Sequence, residues 1–287
     1  MSDNRTLQSD FLQLRFHEMN IAISKTHHTW SIIMKKLVLC DNGEYQKVAP
    51  LCEEYHLGVE VQAFYDPEFL VSNPEALEIQ KHQYGDTKIQ SMHGPFADLC
   101  FGSFDRLIRE ATKSRFEYAY AIAEKLECED IVLHHGYVPG TSHYQNWIKR
   151  GKAFWTEFLL DKGDNITFHL ENMLELDPEL ISDIVSAIDD PRLNICLDVG
   201  HAFCNSKTDV LKWIVRLNKQ IGYVHLHNNL GSKDEHLGFE KGAMLFDEIC
   251  HALDQFSPDS IWAIETNTED IEPSIQWLQM NCFLKSR

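Results

Sequence analysis

With 287 residues, 44% of them hydrophobic, the chain can enclose one large α/β core. A balance of 26 basic against 44 acidic residues, net −18, opposes attraction to a phosphate backbone and argues against duplex DNA as a partner. No run approaches the length of a membrane-spanning helix, and Met1 to Arg5 lacks the basic-then-apolar layout of a secretory signal, so a cytoplasmic protein is expected.

Residues 1–33 fall outside any repeating pattern and read as an N-terminal extension, either a cap under the fold or an arm without catalytic part. A single catalytic domain is expected over 34–287, opening at Met34. Short apolar runs predict strands at 36–40, 58–64, 88–93, 130–134, 166–171, 193–198, 221–227 and 260–265. Helical spacing separates them: Tyr45, Val48, Leu51 and Tyr55 form one stripe, and Leu180, Ile181, Ile184 and Ile188 another. Leu245, Phe246, Ile249 and Leu253 make a third, and Ile271, Ile275 and Leu278 a fourth. Asp177 followed by Pro178 is a helix-start signal. Eight strand-helix units favour a parallel sheet with right-handed crossovers. About 250 residues is the usual size of a (β/α)₈ TIM barrel, in which eight parallel strands close inside a ring of helices. No glycine-rich nucleotide fingerprint follows the first strand. The eight cysteines are scattered without a CxxC pair and read as reduced thiols.

Polar residues gather at the ends of successive strands: Ser91 and His93, His134 and His135, His169 and Glu171, Asp198 and His201, His225 and His227, and Glu265. In a barrel these ends converge on one face. Side chains alternate along a strand, so Glu171, Asp198, His225 and Glu265 can all turn toward the axis and suit Zn²⁺ or Mn²⁺. Without a cation their carboxylates would repel one another. A lone histidine at a strand end is usually solvated or packed; the joint pattern over six strands carries the inference. His169 reads as a packed core residue, and His135, His143 and His251 as structural or exposed. Asn172, His227 and Asn229 are candidates for orienting ligands or touching substrate. Lys233 and Lys241, with Gly140 to Ser142, are candidates for a phosphate pocket.

From about Lys36 to Leu278 the chain resembles the xylose isomerase-like TIM-barrel superfamily, which holds sugar-phosphate isomerases and epimerases and also endonuclease IV. The motifs that carry the resemblance are His93-Gly-Pro, Asp198-Val-Gly-His201, and His225-Leu-His-Asn-Asn followed by Asp234-Glu-His236. In the epimerase branch, the residues matching Glu171, Asp198, His225 and Glu265 bind one metal, and by resemblance Glu171 and Glu265 also move protons. The endonuclease IV branch holds three zinc ions. Its pattern implies His93, His134 and Glu171 for the first, Glu171, Asp198, His225 and Glu265 for the second, and His201, Asp234 and His236 for the third. The resemblance is incomplete on both sides. The apolar DNA wedge is replaced by Ala97 beside Phe96, and the loop from Tyr65 to Leu70 holds no basic residue. Gly231 stands where ketose epimerases often carry an arginine.

Two mechanisms share this scaffold, with one to three divalent ions per chain. In the first, Glu171 and Glu265 act as base and acid in isomerising or epimerising a sugar or sugar phosphate through an enediolate. The alternative is a multi-zinc phosphoester hydrolase, for which His93, His134, Asp234 and His236 discriminate. A non-catalytic sugar-binding barrel is a third class. By resemblance, barrels of this kind also pair through loop faces, which leaves oligomerisation open.

Overall fold

Strands buried on both faces read as continuous apolar runs, and the eight runs of this sequence become eight short parallel strands. The computed structural model describes residues 36–284; the expected extension over 1–33 lies outside the described residues. The strands are β1 (Leu37–Asp41), β2 (Gly58–Val61), β3 (Ile89–His93), β4 (Asp130–His134), β5 (Thr167–Glu171), β6 (Leu193–Asp198), β7 (Ile221–Leu226) and β8 (Ile261–Ile264). They pair in sequence order, and β1 pairs with β8 to close the barrel. The expected TIM barrel is the observed fold.

The helices are α1 (Tyr45–Tyr55), α2 (Pro67–Ser72), α3 (Ala76–Tyr84), α4 (Arg106–Leu126), α5 (Tyr144–Phe158), α6 (Glu179–Ile188), α7 (Val199–Asn205), α8 (Val210–Leu217), α9 (Phe246–Phe256) and α10 (Thr268–Met280). None of them is long and apolar enough to cross a membrane. The predicted second strand ends early, at Val61, because Gln62 and Tyr65 close a turn with a 3.2 Å backbone hydrogen bond. The connection beyond it carries α2 and α3, which the apolar stripes did not announce. Asp177 accepts from the Glu179 amide at 3.1 Å, so it does help to cap α6, one residue further along than expected.

Two apolar clusters record the alternation of the strands. The larger packs the helices against the outer strand faces, with Trp147, Trp155, Trp213 and Trp262 almost completely buried. The smaller consists of Val38, Cys40, Val132, Cys196, Tyr223, Ile261 and Ala263, which fill the barrel interior. Side chains two residues further along several of these strands, in the same alternation, are His134, Asp198, His225 and Glu265. An apolar plug therefore underlies a polar face at the C-terminal strand ends. The eight cysteines form no disulfide.

Candidate metal centre

Strand register does most of the assembly. His134 on β4 is the direct neighbour of Glu171 on β5, and Asp198 on β6 is the neighbour of His225 on β7. Around His225 Nδ1 stand three carboxylate oxygens: Glu265 Oε2 at 3.2 Å, Glu171 Oε1 at 3.3 Å and Asp198 Oδ2 at 3.9 Å. One ligand atom from each of these four residues falls within 4.8 Å of all the others. Glu265 Oε2 is buried and accepts no hydrogen bond from the described residues. Such an atom is costly to leave unsatisfied, and a cation at this point would satisfy it. A second group shares Glu171, whose Oε2 lies 3.0 Å from His134 Nε2 and 3.1 Å from His93 Nε2. His93 Nδ1 donates to the Gly94 carbonyl at 2.9 Å, leaving Nε2 for the carboxylate or an ion.

The third expected trio is arranged differently. His201 Nε2 and His236 Nε2 lie 3.1 and 2.9 Å from the same oxygen, Asp234 Oδ2. Each of these rings turns its Nδ1 to a backbone carbonyl, of Asn172 at 3.0 Å and of Glu265 at 2.7 Å. Among the described residues these three do not form one compact ligand group; His236 instead groups with His227 and Glu265. Asp198 also begins α7, since its Oδ1 accepts from the His201 amide at 2.7 Å. That cap fixes the spacing between Asp198 and His201.

Residues 58–281 match the model of the family described as xylose isomerase-like TIM barrel. The chain belongs to this family. It is 32% identical over 186 residues to the uncharacterized protein MJ1311 of Methanocaldococcus jannaschii, a match covering 61% of this chain and 63% of that one. Among solved structures, the TTHB071 protein of Thermus thermophilus, soaked with ZnCl₂, superimposes with a TM-score of 0.70 at 24% identity. That match covers 88% of this chain and 99% of the other. A D-tagatose 3-epimerase-like protein gives 0.68 at 24% identity, over 86% of this chain and 97% of its own.

The electrostatics of this xylose isomerase-like site are those of buried carboxylates held ionised by imidazoles. Burial raises the Glu171 carboxyl, but the charges of His134 and His225 bring it well below the ordinary range. Asp198 is likewise lowered against its burial, by His201 and His227. His225 moves the other way: burial would depress it, yet the acids around it lift it well above the usual imidazole value. His134 is the exception, since burial prevails over Glu171 and takes it down to about 4. Its lone pair is therefore available at neutral pH.

The structure gives internal partners to three of the residues expected to orient ligands or touch substrate. Asn172, His227 and Asn229 are fully buried, and of their side-chain polar atoms His227 Nδ1 has no hydrogen-bond partner among the described residues. Asn172 brackets the Asp198 backbone, donating to its carbonyl at 3.0 Å and accepting from its amide at 2.8 Å. Asn229 donates to the Gly200 carbonyl at 2.9 Å and accepts from the Gly231 amide at 2.8 Å. His227 Nε2 faces both Asp198 oxygens, at 3.0 and 3.1 Å. Asn172 and His227 thus hold Asp198 in place, and Asn229 ties α7 to the turn at Gly231. Lys241 is ion-paired with Asp270, and Lys233 is exposed; among the described residues neither touches the clustered carboxylates.

Sequence reasoning missed Glu60, Gln62 and Tyr223. Glu60 sits fully buried in mid-strand, with Oε2 3.2 Å from His225 Nε2. Burial raises its carboxyl, but His225, His93 and the Tyr223 hydroxyl together hold it at about 2. The available signal was alternation: in Val59-Glu60-Val61-Gln62 the two polar side chains share the inward face.

Proposed function

We propose that this protein is a divalent-metal-dependent isomerase or epimerase of a sugar or sugar phosphate. The observation that carries the reading is that Glu171 and Glu265, from strand ends three places apart around the barrel, share one ligand group with Asp198 and His225. Carboxylate and imidazole donors suit Zn²⁺ or Mn²⁺, and the unsatisfied Glu265 Oε2 fits such an ion. The epimerase-like and zinc-soaked barrels of the same fold support the choice. Bound there, the ion would polarise adjacent carbonyl and hydroxyl oxygens of the substrate and stabilise the charge left when a carbon-bound proton departs.

The protein's own groups do the rest. One glutamate takes the proton from carbon while the other gives its own proton to carbon from a different direction, which inverts a centre; delivery to the adjacent carbon, with the hydroxyl proton passing to the former carbonyl oxygen, moves the carbonyl. Gln62 donates to Glu265 Oε1 at 2.5 Å, so Oε2 is the oxygen turned to the centre. Phe96 stacks on His134 with centroids 4.2 Å apart, and Tyr65 stacks on Phe96 at 5.5 Å, giving one wall an apolar surface against water. The test is incubation of metal-loaded protein with aldoses, ketoses and their phosphates in D₂O. Deuterium at carbon without net hydrolysis, lost in both Glu171→Gln and Glu265→Gln, is the expected result. Phosphate release without carbon exchange would reject the reading.

One observation favours the second reading, a multi-zinc phosphoester hydrolase: His93 and His134 join Glu171 in a group of their own. In that case about three zinc ions would copurify with each chain, and alanine at His93, His134, Asp234 or His236 would abolish hydrolysis. One ion per chain decides for the isomerase.

A further inference from the structure

We infer that Glu60 is the positioning residue of the centre. It fixes His225 with Nδ1 toward the ion and, through Gln62, holds Glu265 with Oε2 toward the same point. The inference rests on the metal-centre reading above and adds to it a residue outside the four ligands.

His225 is fully buried, and its two nitrogens face different worlds. Nδ1 is the nitrogen among Glu171, Asp198 and Glu265. Nε2 points the other way, to Glu60 Oε2 at 3.2 Å. An imidazole that ligates through one nitrogen carries its proton on the other, and a buried N–H needs an acceptor. Glu60 supplies it. The carboxylate is itself locked: the Tyr223 hydroxyl donates to Oε2 at 2.6 Å, and the Gln62 amide donates to Oε1 at 3.2 Å. Tyr223 is in turn 2.7 Å from Ser91 Oγ, which can donate to it. The second hydrogen of the Gln62 amide goes to Glu265 Oε1. One buried acid thus sets the orientation of two ligands, on β7 and beyond the end of β8. A buried charge without partners would cost several kcal/mol, and here every partner is a group that serves the centre.

A rival role is visible in the same place. Cys40, Glu60, His225 and Glu265 also offer ligand atoms within 4.8 Å of one another, so Glu60 could be a ligand alongside Cys40. The three hydrogen bonds that occupy both Glu60 oxygens favour positioning over ligation.

The experiment compares zinc affinity, by competition with a chromophoric chelator, in the wild type, Glu60→Gln, Glu60→Leu, Tyr223→Phe, Cys40→Ser and Asp198→Asn. It also records apo melting temperatures and the spectrum of the Co²⁺ form. We expect Glu60→Leu to weaken zinc binding about 10–100-fold, the usual effect of losing such a partner. Glu60→Gln, which keeps an acceptor oxygen, should recover part of that loss and stay about tenfold weaker. Cys40→Ser should bind as the wild type does, and the cobalt form should show no thiolate charge-transfer band. A purely structural Glu60 would lower the apo melting temperature in Glu60→Gln and Tyr223→Phe alike and leave both zinc affinities alone. Zinc affinity of Glu60→Gln within twofold of wild type overturns the inference, and that variant decides if Glu60→Leu fails to fold. A thiolate band, or weakened binding in Cys40→Ser, overturns it in favour of ligation. Equal binding by Asp198→Asn and wild type would overturn the metal-centre reading itself.

Discussion

Gly200→Ala tests the packing behind the centre most directly. A Cβ built on Gly200 would lie 2.5 Å from His227 Nδ1 and 2.6 Å from Nε2, and closer still to Cε1. His227 is fully buried and cannot withdraw without leaving both Asp198 oxygens. Forcing extra volume into a packed site costs about 1–3 kcal/mol, and losing a hydrogen bond to a charged group about 1.5–3 kcal/mol. Together they imply a destabilisation of about 2.5–6 kcal/mol. For a domain of this size that lowers the melting temperature on the order of 10 °C. Zinc affinity should fall about 10–100-fold, because Asp198 loses the ring that orients it. Calorimetry of the apo protein and chelator competition measure the two effects. The cycle with His227→Ala isolates the cause: without the ring there is no clash, and alanine in α7 should be favoured over glycine by up to about 1 kcal/mol. A cost below about 1 kcal/mol in the wild-type background, or an equal cost in both backgrounds, would refute the argument.

Zinc at one hundred times its dissociation constant should stabilise the native protein by about 2.7 kcal/mol, an increment that a chelator removes and that Asp198→Asn lacks; thermal scans with and without zinc check this. His134→Ala should retain one ion per chain by mass spectrometry, since its group meets the four-ligand centre only at Glu171; loss of all metal would show that the two groups act as one. Glu129 is held at about 2 by Gln90, Lys36 and Lys88. Because its folded value is depressed, its contribution is present above about pH 4.5 and fades as the pH falls toward 2. Glu129→Gln should therefore cost a small amount at pH 7, under about 1 kcal/mol for so exposed a group. Melting curves should show the difference from wild type narrowing below pH 4.5, and a difference that widened instead would contradict the assignment.

The barrel was legible because every strand is buried on both sides, and four of the eight predicted strands start at the observed residue. The clustering of these side chains was legible for a related reason: acids and histidines at the ends of apolar runs have one shared place to go. Glu60 escaped notice because it interrupts a run instead of ending one, and only its neighbours in space explain it. His227 does not continue the alternation of His225. Strand β7 stops at Leu226 and the chain turns into the bridge between Asn228 and Leu237, so the ring swings to Asp198. Which oxygen of Asp234 two histidines would share was a matter of loop geometry, which no spacing in the sequence encodes.

The double duty of Asp198 gives the centre a built-in gauge. Its Oδ1 holds the His201 amide, while Oδ2 is the oxygen nearer His225. Any redistribution of charge over that carboxylate is therefore felt at a backbone N–H. The nitrogen and proton resonances of His201 should shift as zinc is titrated, and its amide exchange should register occupancy without any substrate in hand.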